Sequence, residues 1–183
     1  MEGVGRWGAL GVESPDPALS LFGSLGLGAA AGTALVIDVT VGCAVGTVRT
    51  LADLVEDGPS LDELSPTRTG VALIAGGAIG VEERLQVIER LAANWPAVVI
   101  RCDSGGWPGP TVPVRPLWPG LLAPTEPYPA VWQSIAGGVR PPGPGPVLPR
   151  LAARNARGLL AGRLPGRGRW LEVWKSVWRM PWA

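Results

Sequence analysis

Three short stretches of the chain are apolar almost without a break: Ala34 to Val39, Val71 to Ala75 and Ala97 to Cys102. A strand covered by helices on both faces reads as a continuous hydrophobic run rather than an alternation, so these stretches predict buried parallel strands. Between them the spacing changes to threes and fours. Thr50-Leu51-Ala52-Asp53-Leu54-Val55 predicts a helix stopped by Gly58-Pro59. Val81 to Asn94 predicts a longer one, with Val81, Leu85, Ile88, Leu91 and Ala92 in a stripe and Glu82, Glu83, Arg84, Glu89 and Arg90 off it. Pro96 ends that helix before the next strand. The alternation is that of an α/β fold: a small, open, mostly parallel sheet with flanking helices.

The flanks of this core, residues 18–107, follow other rules. Residues 1–17 are Gly-rich and acidic, with Pro15 and Pro17, and are expected to form a loose leader. Ala18 to Ile37 is twenty residues without a charge, long enough to span a bilayer. Gly23, Gly26, Gly28 and Gly32 dilute it, no basic residue follows until Arg49, and it runs into Leu35-Val36-Ile37-Asp38-Val39. A strand ending in an acid is the primary reading, and an integral membrane protein anchored through residues 18–37 the alternative. Residues 108–149 hold 13 of the 20 prolines. Proline donates to no helix or sheet ladder, so an extended arm is expected across the sheet's flank, held by residues such as Trp118, Val131 and Trp132. Arg140 to Pro146 reads as a spacer. Residues 150–183 predict a basic tail: a helix to Leu164, a break at Pro165-Gly166, then Trp170, Trp174 and Trp178 four residues apart along one side of an amphipathic helix.

Composition removes whole classes of chemistry. The 183 residues contain no histidine, hence neither the commonest general base near neutral pH nor the commonest metal ligand. Ser-His-Asp and Cys-His machinery cannot be assembled. Cys43 and Cys102 are too far apart for a zinc motif and are expected as buried thiols of a cytoplasmic protein. No catalytic residue, metal ligand or cofactor is assigned. Charge is uneven: residues 1–149 carry 8 Arg against 14 acids, a net of −6, whereas 150–183 carry 7 Arg and Lys175 against Glu172, a net of +7.

The order of elements across residues 33–105 resembles the ParA/MinD-type deviant Walker ATPases. Ala34-Leu-Val-Ile-Asp38-Val39 resembles the family strand that ends in an acid, Arg49 to Leu64 its helix and acidic turn, Gly70 to Gly77 its strand running into a glycine pair, and Glu83 to Cys102 its next helix and strand. The resemblance implies cytoplasmic work beside a pilus, secretion or polarity apparatus. It stops short of the chemistry. In that family a glycine-rich loop with lysines and a hydroxyl residue follows the first strand, and its amides, cations and magnesium ligand hold the phosphates. The nearest counterpart, Glu2-Gly-Val-Gly-Arg-Trp7, has an acid for a cation and tryptophan for the hydroxyl, and Arg101 stands where a magnesium-linked aspartate belongs, with Asp103 two residues late. Gly76, Gly77 and Gly80 join a strand to a helix, but that helix opens on Glu82 and Glu83, which repel a pyrophosphate. Asp38, Gly76, Gly77, Gly80 and Asp103 are therefore the only candidates for a residual crevice. The expectation is a non-catalytic binding or scaffolding accessory, with a residual nucleotide-binding enzyme as a further alternative.

The tail is the expected contact surface: Arg167, Arg169, Trp170, Trp174, Lys175, Trp178, Arg179 and Trp182. Indoles on one side and arginines beside them suit packing on the domain itself or on a partner protein first, and an anionic membrane surface second. Nucleic acid comes last, because no reading motif accompanies the charge.

Overall fold

The sheet is organised around a strand that the sequence pattern hides. Ala9–Glu13 (β1) lies parallel between Val98–Arg101 (β4) and Thr111–Leu117 (β5) in the computed structural model, which describes residues 9–40, 47, 49–120, 128–166 and 168–182. With Thr33–Asp38 (β2), Gly70–Ala75 (β3), Val131–Ser134 (β6) and Val147–Leu148 (β7) it forms a seven-stranded sheet of order β3-β2-β4-β1-β5-β6-β7. Every pairing is parallel. The protein is an α/β fold.

The helices are Pro17–Ala31 (α1), Leu51–Asp57 (α2), Leu61–Leu64 (α3), Val81–Asn94 (α4), Ala153–Leu160 (α5) and Arg169–Val177 (α6). Strand side chains alternate between two cores. Leu10, Val12, Val36, Val99, Val112 and Val114 pack with α1, α5 and α6. Ala9, Leu35, Ile37, Val98 and Ile100 pack with α2 and α4. Burial on both faces is what makes the strands read as unbroken apolar runs.

Two expectations are corrected here. The described part of the leader, residues 9–17, is no loose segment: it holds β1, whose Ala9, Leu10 and Val12 are buried, and starts α1. The proline-rich segment does not lie across the sheet but extends it by three strands. β5 tolerates Pro113 and Pro116 because it changes neighbour halfway. Residues 111–113 pair with β1 and residues 114–117 with β6. Gly11 N–H donates to Pro110 O and Ile135 N–H to Leu117 O, so alternation turns the Pro113 nitrogen toward β6 before β6 begins and the Pro116 nitrogen toward β1 after β1 has ended. Each missing donor faces a side with no strand to receive it.

The stretch 18–37 is divided between α1 and β2, with Gly32 at φ 82° making the turn. Its expected alternative as a membrane anchor is overturned: α1 has 15 residues and sits inside the fold, and among the described residues no helix is long and apolar enough to cross a membrane. α1 is buried nearly all round because it lies between the sheet and α6. Its glycines are the notches for that double burial. Gly23 faces the side chains of Val12 and Val114, and a Cβ on Gly26 would collide with both Trp170 and Trp174, at 2.6 Å from the indole nitrogen of the latter.

Candidate functional site

In an open parallel sheet, ligands bind beyond the carboxyl ends of the strands, beside the opening turn of the helix that follows. β1 runs into α1 through Ser14-Pro15-Asp16. Asp16 is the N-cap, and its Oδ1 accepts from the amides of Ala18 at 2.8 Å and Leu19 at 3.1 Å, while Pro17 supplies no N–H at all. The donors that a phosphate would need are thus taken by the chain's own carboxylate. Glu13, at the end of β1, pairs with Arg115 of β5 at 3.3 Å. The glycine-rich sequence 2–7 lies outside the described residues; the loop that follows β1 is acidic and has no glycine.

Next to this loop, Asp38 and Arg101 end the neighbouring strands β2 and β4 in matched register. They form a buried ion pair at 2.5 Å with almost no exposed side-chain surface. Arg101 also donates from Nε to Ser20 Oγ at 3.0 Å and from its second terminal nitrogen to Pro17 O at 3.1 Å, so the guanidinium ties β2 and β4 to the first turns of α1. Asp38 Oδ1 accepts from the amide and hydroxyl of Thr40. A buried charge is tolerated when it is both paired and hydrogen-bonded, as here. Sequence reasoning named Asp38 as a crevice candidate and Arg101 only as a departure from the family pattern, without pairing them, although an arginine opposite an acid in adjacent buried strands is a legible signal once register is known.

The other crevice candidates do not converge on Asp38. Asp103 is exposed beyond β4. Gly76 and Gly77 form a turn that docks on α2: Ala52 N–H donates to Gly76 O, Thr50 bridges Ala75, and a Cβ on Gly77, at φ 69°, would stand 2.7 Å from Thr50 Oγ1. Gly80 caps α4 with the Glu83 carboxylate close above it. Carboxylates occupy α2 and α3 in the same way. Asp53 is held below its ordinary pKa chiefly by hydrogen bonds from the Thr50 amide and hydroxyl, and Glu63 by those from Ser60, with Arg49 adding to both. Cys102 is free and buried beneath Val12 O, and burial pushes its thiol up to about 12. Among the described residues no group of acids and cysteines is placed to hold a metal ion.

The tail packs on its own domain, one of the alternatives left open for its tryptophan face. Trp170 is 5% exposed and Trp174 not at all, with ring centroids 5.9 Å apart in an edge-to-face pair. Trp170 Nε1 donates to Gln133 Oε1 at 3.1 Å, Trp178 Nε1 to Leu27 O at 2.8 Å and Trp182 Nε1 to Val177 O at 2.8 Å. Arg169, Lys175 and Arg179 remain exposed on the opposite side, and Arg167 lies outside the described residues. Comparison with family models, with curated proteins and with solved structures gave no match.

Proposed function

We propose that the chain is a non-catalytic binding or scaffolding accessory built on a ParA/MinD-like arrangement. The observation carrying this reading is the occupation of the α1 amino terminus by Asp16, beside Arg101 and Asp38, which already satisfy each other. A triphosphate would have to displace one carboxylate from its amides and would meet a second, Glu13, close by. The family reading draws support from the order in which β2, α2, α3, β3, α4 and β4 follow one another. Calorimetric titration with magnesium ATP tests it. The expected trace is flat to about 1 mM, a limit near −4 kcal/mol; a micromolar, magnesium-dependent affinity would overturn the proposal.

One observation favours a peripheral membrane setting for this accessory. Arg150, Arg154, Arg157, Arg163, Arg169, Lys175 and Arg179 are all exposed on the α5 and α6 side, against Glu172 alone. Each cation near an anionic bilayer contributes about 1 kcal/mol. Because the indoles are buried, charge and not tryptophan insertion would supply the attraction. Reversal of Arg154 and Arg157 to Glu should release the protein from phosphatidylserine vesicles in sedimentation; unchanged binding ends this reading.

A further inference from the structure

α5 ends in a tip that the fold holds in place but does not cover. Leu159 faces the core, and one residue further round the helix Leu160 is 51% exposed. Gly162, at φ 66°, reverses the chain. Ala161 N–H donates to Arg157 O, Gly162 N–H to Leu159 O at 3.0 Å and Arg163 N–H to Gly158 O at 2.9 Å, the closure that satisfies the last carbonyls of a helix. The Gly162 backbone rests against Gly70 and Val71 O at the start of β3, and Pro165 is buried again. Residues 160–164 are therefore held at both ends, yet every one of them is exposed, Leu164 by 40%. Large apolar side chains kept in water on an ordered tip hold free energy that a partner can release.

Around the tip the charge is of one sign. Arg154, Arg157 and Arg163 are exposed on α5 and on the tip itself, and Arg68 is exposed two residues before Gly70, against which Gly162 lies. Residues 127–171 contain no acid, and the next one, Glu172, is paired with Lys175 at 2.8 Å. We infer that Leu160 and Leu164 form a shallow insertion point for an anionic lipid bilayer, with Arg68, Arg154, Arg157 and Arg163 meeting the headgroups around it. Leucine at the boundary of headgroup and acyl chain, with arginine reaching back to the phosphates, is how an interfacial protein divides the work. A bilayer suits the tip better than an acidic protein does. Lipid closes round a two-residue projection, whereas a stable protein interface needs a matched surface of about 800 Å² per partner. The order already imposed by Gly162 and Pro165 spares the tip the entropy of being fixed on binding. The inference rests on the peripheral membrane reading above and adds an apolar anchor to its charge, and the two can fail separately.

The test is sedimentation of the full chain with vesicles of phosphatidylcholine, alone and mixed with phosphatidylserine. Binding is expected to the mixture only, and about tenfold weaker for Leu160→Ser combined with Leu164→Ser. What binding that variant keeps should vanish at high salt, since charge alone supports it. Both leucines are exposed, so the variant should keep the parent's unfolding midpoint, which circular dichroism checks. A bimane label on Leu164→Cys, in a Cys43→Ser background, should shift to the blue and be quenched by doxyl groups on the lipid acyl chains. Equal vesicle binding by the serine variant, or a label that doxyl lipid does not quench, overturns the inference. If Arg154→Glu with Arg157→Glu still releases the chain in that case, the charge reading outlives it; no vesicle binding at all overturns both. Polyglutamate that displaces the vesicles, and binds the serine variant as tightly as the parent, marks an acidic protein as the partner and also overturns the inference.

Discussion

The two faces of the sheet are held by different means. On one face α1 is wedged between the strands and α6, and what holds it is long-range: indoles made near residue 174 fill notches made near residue 26. On the other face α2, α3 and α4 form a single layer, and much of their order is local, in the capping boxes of Thr50 with Asp53 and Ser60 with Glu63. A helix fixed by tertiary burial loses everything when its partner is cut, whereas one fixed by caps loses a turn. The Asp38–Arg101 pair belongs to the first class, because Arg101 reaches α1 as well as β2.

The largest loss is expected at the indoles. Trp174→Ala should cost about 3–5 kcal/mol, read as a lower midpoint in urea unfolding followed by circular dichroism, because the hole opens between two helices and the sheet. Next comes the ion pair. Asp38→Leu leaves a buried guanidinium uncompensated and should cost about 3–5 kcal/mol, while Asp38→Leu with Arg101→Met should recover most of that loss. Failure of the double variant to recover would mean that the bonds of Arg101 to Ser20 and Pro17 matter more than its charge. Gly26→Ala sharpens the point by its sign. In an open helix that change stabilises by about 1 kcal/mol; against Trp170 and Trp174 it should destabilise by about 1–3 kcal/mol.

On the capped face the effects shrink. Thr50→Ala should cost about 1 kcal/mol. It should also flatten the acid limb of the stability profile. Asp53 and Glu63 have depressed pKa values in the folded chain, so their contribution is complete above the ordinary carboxylate range near 4 and is lost as pH falls through the lower folded values. The smallest effect is expected at Cys102. In a Cys43→Ser background its thiol, neutral well past physiological pH, should resist iodoacetamide until denaturant unfolds the chain.

What the sequence could tell follows from these forces. β2, β3, β4 and α4 were legible because burial on both faces or a single stripe leaves a periodic trace in consecutive residues. β1 left almost none: Ala9-Leu-Gly-Val-Glu13 is five residues with a glycine where Trp107 and Thr111 press close, so nothing local separates it from a turn. β5 was obscured by Pro113 and Pro116, whose acceptability depends on which neighbour stops where, a fact about register. Asp38 was visible as a strand-end acid; its pairing with Arg101 needed the sheet order. The tryptophan spacing announced a buried or bound face, but the matching glycines of α1 lie some 150 residues away, and only packing joins them.

The placement of β1 also governs the order in which the chain can become a protein during synthesis. Both of its neighbours come late, β4 at residue 98 and β5 at residue 111, so β1 is made some ninety residues ahead of the strands it pairs with. Its helix waits longer still, for the indoles of α6. Such an order leaves an apolar helix unsheltered until α6 has been made, and pairing between segments so distant in sequence slows folding.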